Sequence, residues 1–303
     1  MITAIDSFAG AGGFTTGAKL AGVNVVWAAN HWPAAVAAHS ENHPETAHIC
    51  QDMHLANWMK VPPHELHLAS PCCGGHGKAR GKEKPWHDAS RATAWAVLSG
   101  LEFHRPPLAI IENVPEFLNW TLYPSWSDAM QRLGYTLSPH ILNAADSGVP
   151  QDRVRLFILA TRSRHPITIK LDKASPKDAN SIVQWGEFSW SKISQKVPRT
   201  QKRAHNGRLA FGDRFVMPYY GSGSGLTGRS THRPLGTITT RARWGVVNGD
   251  RMRMLHPEEV KAAMSFPSTY RLPTNVKLAN HLLGNAVCPL QAKAVIQALL
   301  AAV

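Results

Sequence analysis

The opening of the chain constrains its fold more than any other stretch. An apolar run from Ile2 to Phe8 breaks into Ala9-Gly10-Ala11-Gly12-Gly13-Phe14-Thr15-Thr16-Gly17. Strand, glycine turn and helix in that order begin a doubly wound α/β unit, in which glycines let backbone approach a ligand at the helix N-terminus. The strict dinucleotide fingerprint is not met, because Thr15 stands where its third glycine belongs. The pattern points to a nucleoside-type ligand, with a plain tight turn as the alternative. The fold class expected is α/β with a doubly wound, mostly parallel sheet.

The next segments extend that pattern. Asn24 to Ala29 reads as a second strand ending in Asn30-His31-Trp32, followed by a helix from Pro33 to about Asn42. A short strand around His48 to Cys50 leads to Asp52-Met53. Many folds that grip a ribose place an acid where the second strand ends; here the residue is His31. Trp32 either stacks on an adenine face or packs under the helix. A third apolar run, Leu66 to Ala69, ends at Ser70-Pro71-Cys72-Cys73-Gly74-Gly75-His76-Gly77, with Lys78, Arg80, Lys82 and Lys84 just beyond. Nearby cations favour the thiolate, which is the reactive form of cysteine. A small cysteine buried at a strand end is the competing reading.

Arg91 to His104 has helical periodicity and stops at Arg105-Pro106-Pro107. Leu108 to Ile111 is the continuous apolar run of a central parallel strand, ending in Glu112-Asn113-Val114-Pro115. Ligands bind at the carboxyl ends of such strands, so Cys72 and Glu112 are expected at one crevice; a helix-capping Glu112 is the alternative. A helix over Ser125 to Leu133 and a strand over Tyr135 to Leu142 follow. In Val149-Pro150-Gln151-Asp152-Arg153-Val154-Arg155, two alternating arginines share a strand face, directed at an anion or at a carboxylate.

Composition matters most after Thr161. Thr161 to Leu235 holds 14 Lys and Arg against 4 Asp and Glu, +10 of the chain's +13. Interleaved aromatics (Trp185, Phe188, Trp190, Phe211, Phe215, Tyr219, Tyr220) make this a module suited to phosphate contact with stacking side chains. Gly-Ser-Gly-Ser-Gly at 221–225 reads as a mobile loop. The pattern becomes regular again from Thr237: a helix starts at Leu255-His256-Pro257, and Gly284-Asn285-Ala286-Val287-Cys288-Pro289 opens a last helix expected to pack back on the first sheet. The domains expected are therefore a regular α/β part, 1–160 with 245–303, and a smaller irregular basic part, 161–244. Four cysteines without disulfide or Cys-x-x-Cys spacing, and histidines without ligand spacing, argue for reduced thiols and no metal. No apolar run reaches the roughly 18 residues of a membrane span and no signal peptide is apparent, so a cytoplasmic protein without a membrane partner is expected.

Together these pieces resemble the cytosine-5 DNA methyltransferases. The likeness is carried, in the family's order, by Phe8-Ala9-Gly10-Ala11-Gly12-Gly13, Asn30-His31-Trp32, Asp52, Pro71-Cys72, Glu112-Asn113-Val114, Gln151-x-Arg153-x-Arg155, Arg253-Met254-Leu255 with Phe266-Pro267, and Gly284-Asn285-Ala286-Val287. It spans nearly the whole chain outside the basic segment, which falls where that family carries its target-recognition region. The resemblance implies a Rossmann-like domain binding S-adenosylmethionine, with S-adenosylhomocysteine as product. It implies Cys72 as nucleophile toward C6 of a flipped cytosine, Glu112 as partner of N3, Asn113 as its positioner, and Arg153 and Arg155 holding the base and phosphate or bracing Glu112. Phe8, Ala9, Gly10, Gly12, Gly13, His31, Trp32, Asp52, Met53, Pro71, Asn285 and Ala286 would line the cofactor. Gln151, Lys78, Arg80, Lys82, Lys202 and Arg203 would meet double-stranded DNA, in a monomer that a cognate restriction endonuclease could accompany.

Three positions depart from the family pattern. His31 replaces an acid, Cys73 replaces Gln and is read as a bystander, and Gly75-His76 replace Phe-Ser. They bear on cofactor affinity, donor identity and closure of the loop from Gly74 to Lys84. Competing readings are a tRNA cytosine-5 methyltransferase of the same family, a catalytically silent DNA-binding module, and a nicotinamide-dependent oxidoreductase.

Overall fold

Apolar runs bounded by glycine and proline fold, in the computed structural model, as strands and helices in alternation. It describes residues 1–77, 82, 84–220, 225 and 227–303, so Lys78, Arg80 and most of the 221–225 stretch lie outside the described residues. The first half runs β1 (Thr3–Ser7), α1 (Gly13–Leu20), β2 (Asn24–Asn30), α2 (Pro33–Asn42), β3 (Ala47–Cys50), β4 (Leu66–Ala69), α3 (Trp86–His104), β5 (Leu108–Asn113), α4 (Tyr123–Arg132) and β6 (Thr136–Asn143). Then come β7 (Gln151–Asp152), β8 (Val154–Thr161), β9 (Ser191–Lys192), α5 (Pro198–Phe211), β10 (Arg214–Pro218), β11 (Arg229–Ser230) and β12 (Leu235–Gly236). The chain ends with β13 (Trp244–Asn248), β14 (Arg251–Met254), α6 (Pro257–Ala263), α7 (Val276–Asn285) and α8 (Pro289–Ala302).

The main sheet has seven strands in the order β3-β2-β1-β4-β5-β8-β6. Its first five strands are parallel, while β8 pairs antiparallel with both β5 and β6. Side chains alternate across a strand, and the core divides accordingly. Leu66, Leu68, Leu108, Ile110, Phe157 and Leu159 pack with Phe14 of α1 and Val295 and Ile296 of α8. Ala69, Ala109, Ile111, Leu156 and Ile158 pack with Val97 of α3 and Trp126 of α4. The last helix therefore does return to the first sheet. The stretch Val276–Ala302 is long and apolar enough for a membrane span by length and composition. It divides at Ala286–Cys288 before Pro289, and half of it is buried, as in a core element.

Three segments differ from expectation. α3 starts at Trp86, one and a half turns before Arg91, because Pro85 and the acidic Asp88 suit a helix N-terminus. α7 was not anticipated. The basic segment is more regular than its composition suggests: a five-stranded antiparallel sheet, β11-β10-β13-β14-β9, packs against α5. β13 and β14 carry that sheet to Met254, beyond the expected boundary at 244. On β10, Phe215 and Met217 face α5 while Val216 faces a core shared with Val260, Phe266 and Leu283. The smaller sheet thus leans on the C-terminal helices.

Candidate active site

β1 has β2 on one side and β4 on the other, so the connections leave in opposite directions at its carboxyl end. That is the topological switch point where open α/β sheets bind ligands. Strand register sets what gathers there. Ser7 pairs with Ala29 of β2 and Ala69 of β4, Ala69 pairs with Ile111 of β5, and Asn30 pairs with Cys50 of β3. The residues just past these positions are Phe8 to Gly10, His31-Trp32, Asp52, Pro71-Cys72 and Glu112-Asn113. One sheet edge therefore carries both the glycine turn and the candidate chemistry.

The glycines of the turn have different jobs. Gly10 adopts φ +54, and a Cβ there would meet nothing nearer than the Phe8 carbonyl at 3.9 Å, so this backbone is open to a ligand. A Cβ on Gly12 would press on the His39 and His43 rings, and one on Gly13 would run into the backbone of Val287. These two serve packing. Ala9 is held by its N–H to Ala29 O, 2.9 Å, and its carbonyl accepts from Gly12 at 2.8 Å. Thr15, where a third glycine was absent, donates its hydroxyl to Asp6 at 2.7 Å and lies 3.0 Å from His39 Nε2. Burial raises the Asp6 carboxyl to about 7 despite those bonds.

Around the turn, Asp52 is exposed, and one carboxylate oxygen caps His54 N at 2.9 Å, leaving the other for a ligand. The His31 ring is exposed, as is Asn285 at the end of α7. Trp32 is half-buried against Leu278 and His281 of α7, so it packs under a helix on one side. Met53 and Ala286 fall outside the group. The Met53 side chain lies in the core with Ile5 and Trp27, and Ala286 is buried with its carbonyl taken by Arg153. An open glycine backbone, a free carboxylate oxygen and an indole fit an adenosyl cofactor.

Cys72 is exposed, and its loop is fastened to α3. Cys72 N donates to Thr93 Oγ1 at 2.9 Å, Gly75 N donates to Ser90 Oγ at 3.0 Å, and Arg91 Nη1 donates to Gly75 O at 2.9 Å. His76, in place of the family's serine, is buried against Phe117 and Trp120. Residues 72–77 are thus anchored, whereas a closing loop was expected to begin at Gly74. The neighbouring Cys73 is the thiol that senses the sheet edge: burial pushes it up, with Arg155 and Glu112 as the next influences.

Glu112 is buried, 3.3 Å from Arg155 Nε. Burial raises its carboxyl above the ordinary range, against the pull of Arg155 and then Arg153. Asn113 does not hold Glu112. Its Nδ2 donates to Pro71 O at 3.0 Å, which ties the end of β5 to the loop of Cys72. Arg153 is not turned to an anion either. It is buried, donates to the carbonyls of Ile238, Gly284 and Ala286 at 3.0–3.1 Å, and clamps the Gly284-Asn285-Ala286 stretch. Gln151 is wholly buried, bonding Ile238 N, Ala263 O and Met264 Sδ, with nothing left for a nucleic acid. Arg203 is likewise structural, donating to Pro218 O and lying over the Tyr219 ring. Lys202 and Lys82 are exposed. Ser90 and Thr93 went unread in the sequence. Their i, i+3 spacing on a helix beginning at Trp86 was the signal.

The sequence model of the C-5 cytosine-specific DNA methylases matches residues 2–301. The chain belongs to that family. Among relatives of this methylase, the type II methyltransferase M.HhaI of Haemophilus parahaemolyticus is 25% identical over 93% of this chain and 89% of its own. The type II methyltransferase M.AplI of Arthrospira platensis is 26% identical over 97% and 84%. Among solved structures, a putative DNA modification methyltransferase encoded within an Escherichia coli prophage superposes with TM-score 0.71 at 18% identity, covering 100% of this chain and 99% of that one. Spodoptera frugiperda DNMT2 superposes with TM-score 0.72 at 19% identity, over 99% and 100%. The methylase is a C-5 cytosine DNA methyltransferase, an enzyme that needs a methyl donor and acts on DNA.

Proposed function

We propose that this methylase moves a methyl group from S-adenosylmethionine to C5 of a cytosine flipped out of duplex DNA, with Cys72 forming a transient bond to C6. The register that sets the glycine turn, Cys72 and Glu112 on adjacent strand ends carries this reading. Phe8, the open backbone at Gly10, His31, Trp32, Asp52 and Asn285 are the residues that would hold the donor. When bound, S-adenosylmethionine supplies an electrophilic methyl group and leaves as S-adenosylhomocysteine.

C5 of cytosine is a weak nucleophile, and the residues of the crevice are suited to change that. The Cys72 sulfur adds at C6, and the electron pair of the C5–C6 double bond is pushed into the ring as Glu112 gives its proton to N3. The raised carboxyl of Glu112 favours the protonated form that such a donor needs. C5, now enamine-like, takes the methyl group. Solvent water takes the C5 proton, the C5–C6 double bond re-forms as the C6–sulfur bond breaks, and N3 returns its proton to Glu112. Arg155 braces the carboxylate so formed, and Asn113 keeps Pro71 and the nucleophile in register with it. Extruding the base costs roughly a few kcal/mol, which contacts from basic side chains such as Lys82 and Lys202 to the DNA backbone would offset. A monomer suffices for this chemistry, with or without a cognate endonuclease.

The test offers mixed-sequence duplex DNA and tRNA in competition, followed by base-resolution mapping of 5-methylcytosine. The reading expects methyl groups on DNA at a defined sequence. Methyl groups on tRNA alone would replace it with the RNA-directed alternative.

A further inference from the structure

The nucleophile loop meets polar side chains of α3 that neither the sequence motifs nor the reaction outlined above employs, and one of them reaches the sulfur. Ser90 Oγ lies 3.0 Å from Cys72 Sγ and 3.4 Å from Cys72 O, and accepts from Gly75 N at 3.0 Å. Thr93, one turn further along α3, accepts from Cys72 N and donates to Ser90 O at 2.7 Å, which fixes the two residues on one helix face against the loop. We propose that Ser90 is a positioning residue, whose hydroxyl donates to the Cys72 sulfur and stabilises the negative charge that sulfur carries when it attacks.

The hydroxyl's own inventory gives the direction. Serine has one O–H to donate and two lone pairs. The Gly75 N–H takes a lone pair, so the hydrogen is turned away from Gly75, toward Cys72. Of its two acceptors there, the sulfur is both nearer and tolerant of a longer bond than a carbonyl oxygen. Gly74 leaves the approach clear, since even a Cβ there would sit 3.6 Å from the sulfur and 3.4 Å from Ser90 Oγ. Among the described residues no other side-chain donor lies within hydrogen-bond reach of Cys72 Sγ.

The ionisable groups on the surrounding elements are engaged elsewhere. On α3, Asp88 pairs with Arg91, which also holds Gly75 O, and His87 accepts from Lys84 N. At the sheet edge Glu112 pairs with Arg155, and Arg153 is spent on three carbonyls. Burial pushes the Cys73 thiol up, away from ionisation. Lys82 and Lys84 are exposed, and the Lys84 ammonium lies over the Trp86 ring. A hydrogen bond to an ionised acceptor is stronger than one to a neutral acceptor, so Ser90 favours the thiolate over the thiol.

The inference rests on Cys72 being the nucleophile, yet its test needs neither DNA nor donor. Iodoacetamide is added to the whole protein across pH, and carbamidomethyl on Cys72 and Cys73 is counted separately by peptide fragmentation. The Cys72 thiol gives up its proton to solvent, a sulfur–carbon bond forms and iodide leaves. In S90A, alkylation of Cys72 should be about tenfold slower near neutral pH, with the deficit closing at alkaline pH where the thiol ionises unaided. S90T should restore the wild-type profile, and Cys73 should not respond. An unchanged Cys72 profile in S90A, a deficit of the same size at every pH, or no rescue by S90T would overturn the inference. Methyl transfer by C72S would instead overturn the nucleophile reading and leave the alkylation result standing.

Discussion

Glu112 shows what enclosure does to a single side chain. Its carboxyl is shut in at the end of β5, so the protonated form persists to higher pH than for a free glutamate, although Arg155 opposes this. If that form donates to N3, turnover should fall as pH rises through the raised value, because the donor is then ionised. E112Q can still hydrogen-bond N3 but cannot protonate it. Its kcat should drop by about 10²- to 10⁴-fold, the usual range for general acid catalysis, and the alkaline fall should vanish from the kcat–pH profile. A variant that kept wild-type kcat would exclude Glu112 as the acid. At this scale residue types were legible in the sequence and directions were not. Cys72, Glu112 and Asp52 stand at the sheet edge as their motifs imply, but Gln151, Arg153 and Arg203 share the same polar character and turn inward to carbonyls and rings. Burial follows from contacts with residues far along the chain, such as Ile238 and Gly284 for Arg153, and local sequence cannot show them.

Among the elements, α1 illustrates how one turn serves both ligand and core. Its first residue, Gly13, lies flush against the Val287 backbone ahead of α8, and Gly17 fits against Ala292 and Pro289 of the same helix. G13A must push those backbones apart, because its Cβ would stand 2.0 Å from the Val287 carbonyl oxygen, and should cost about 3 kcal/mol or more by overpacking, read as a lower urea midpoint. G10A meets no neighbour and carries only the penalty of its left-handed φ, about 1–2 kcal/mol. Equal midpoints for the two variants would contradict the division of labour between these glycines. Strand and helix order in the first half of the chain was readable because β4, β5 and α2 are apolar or alanine-rich runs with proline at or near their boundaries. α7 went unread although Asn275 caps its first turn and Ala279, Leu282 and Leu283 give it a buried stripe. The five-stranded sheet was missed because its strands have two to five residues each and are interrupted by α5 and by a glycine- and serine-rich stretch. The start of α3 matters most for the site, since the five residues left off its front include Ser90.

For the whole molecule, the charge distribution and the shared core belong together. The basic segment is built on a sheet whose inner face packs against α6 and α7, and α7 in turn leads into the stretch that Arg153 clamps beside the switch point. The basic segment and the crevice at the strand ends are thereby held by one continuous packing arrangement, which would couple site reading to base modification if the proposed function holds. The central claim remains a covalent one, that the sulfur of Cys72 bonds to C6 of an extruded cytosine. The most direct measurement is to incubate the protein and S-adenosylmethionine with duplex DNA carrying 5-fluorocytosine in every sequence context, since fluorine at C5 cannot leave as a proton does. The account predicts a denaturant-stable protein–DNA adduct attached at Cys72 and absent from C72S. No adduct in any context, or attachment at Cys73, would contradict it.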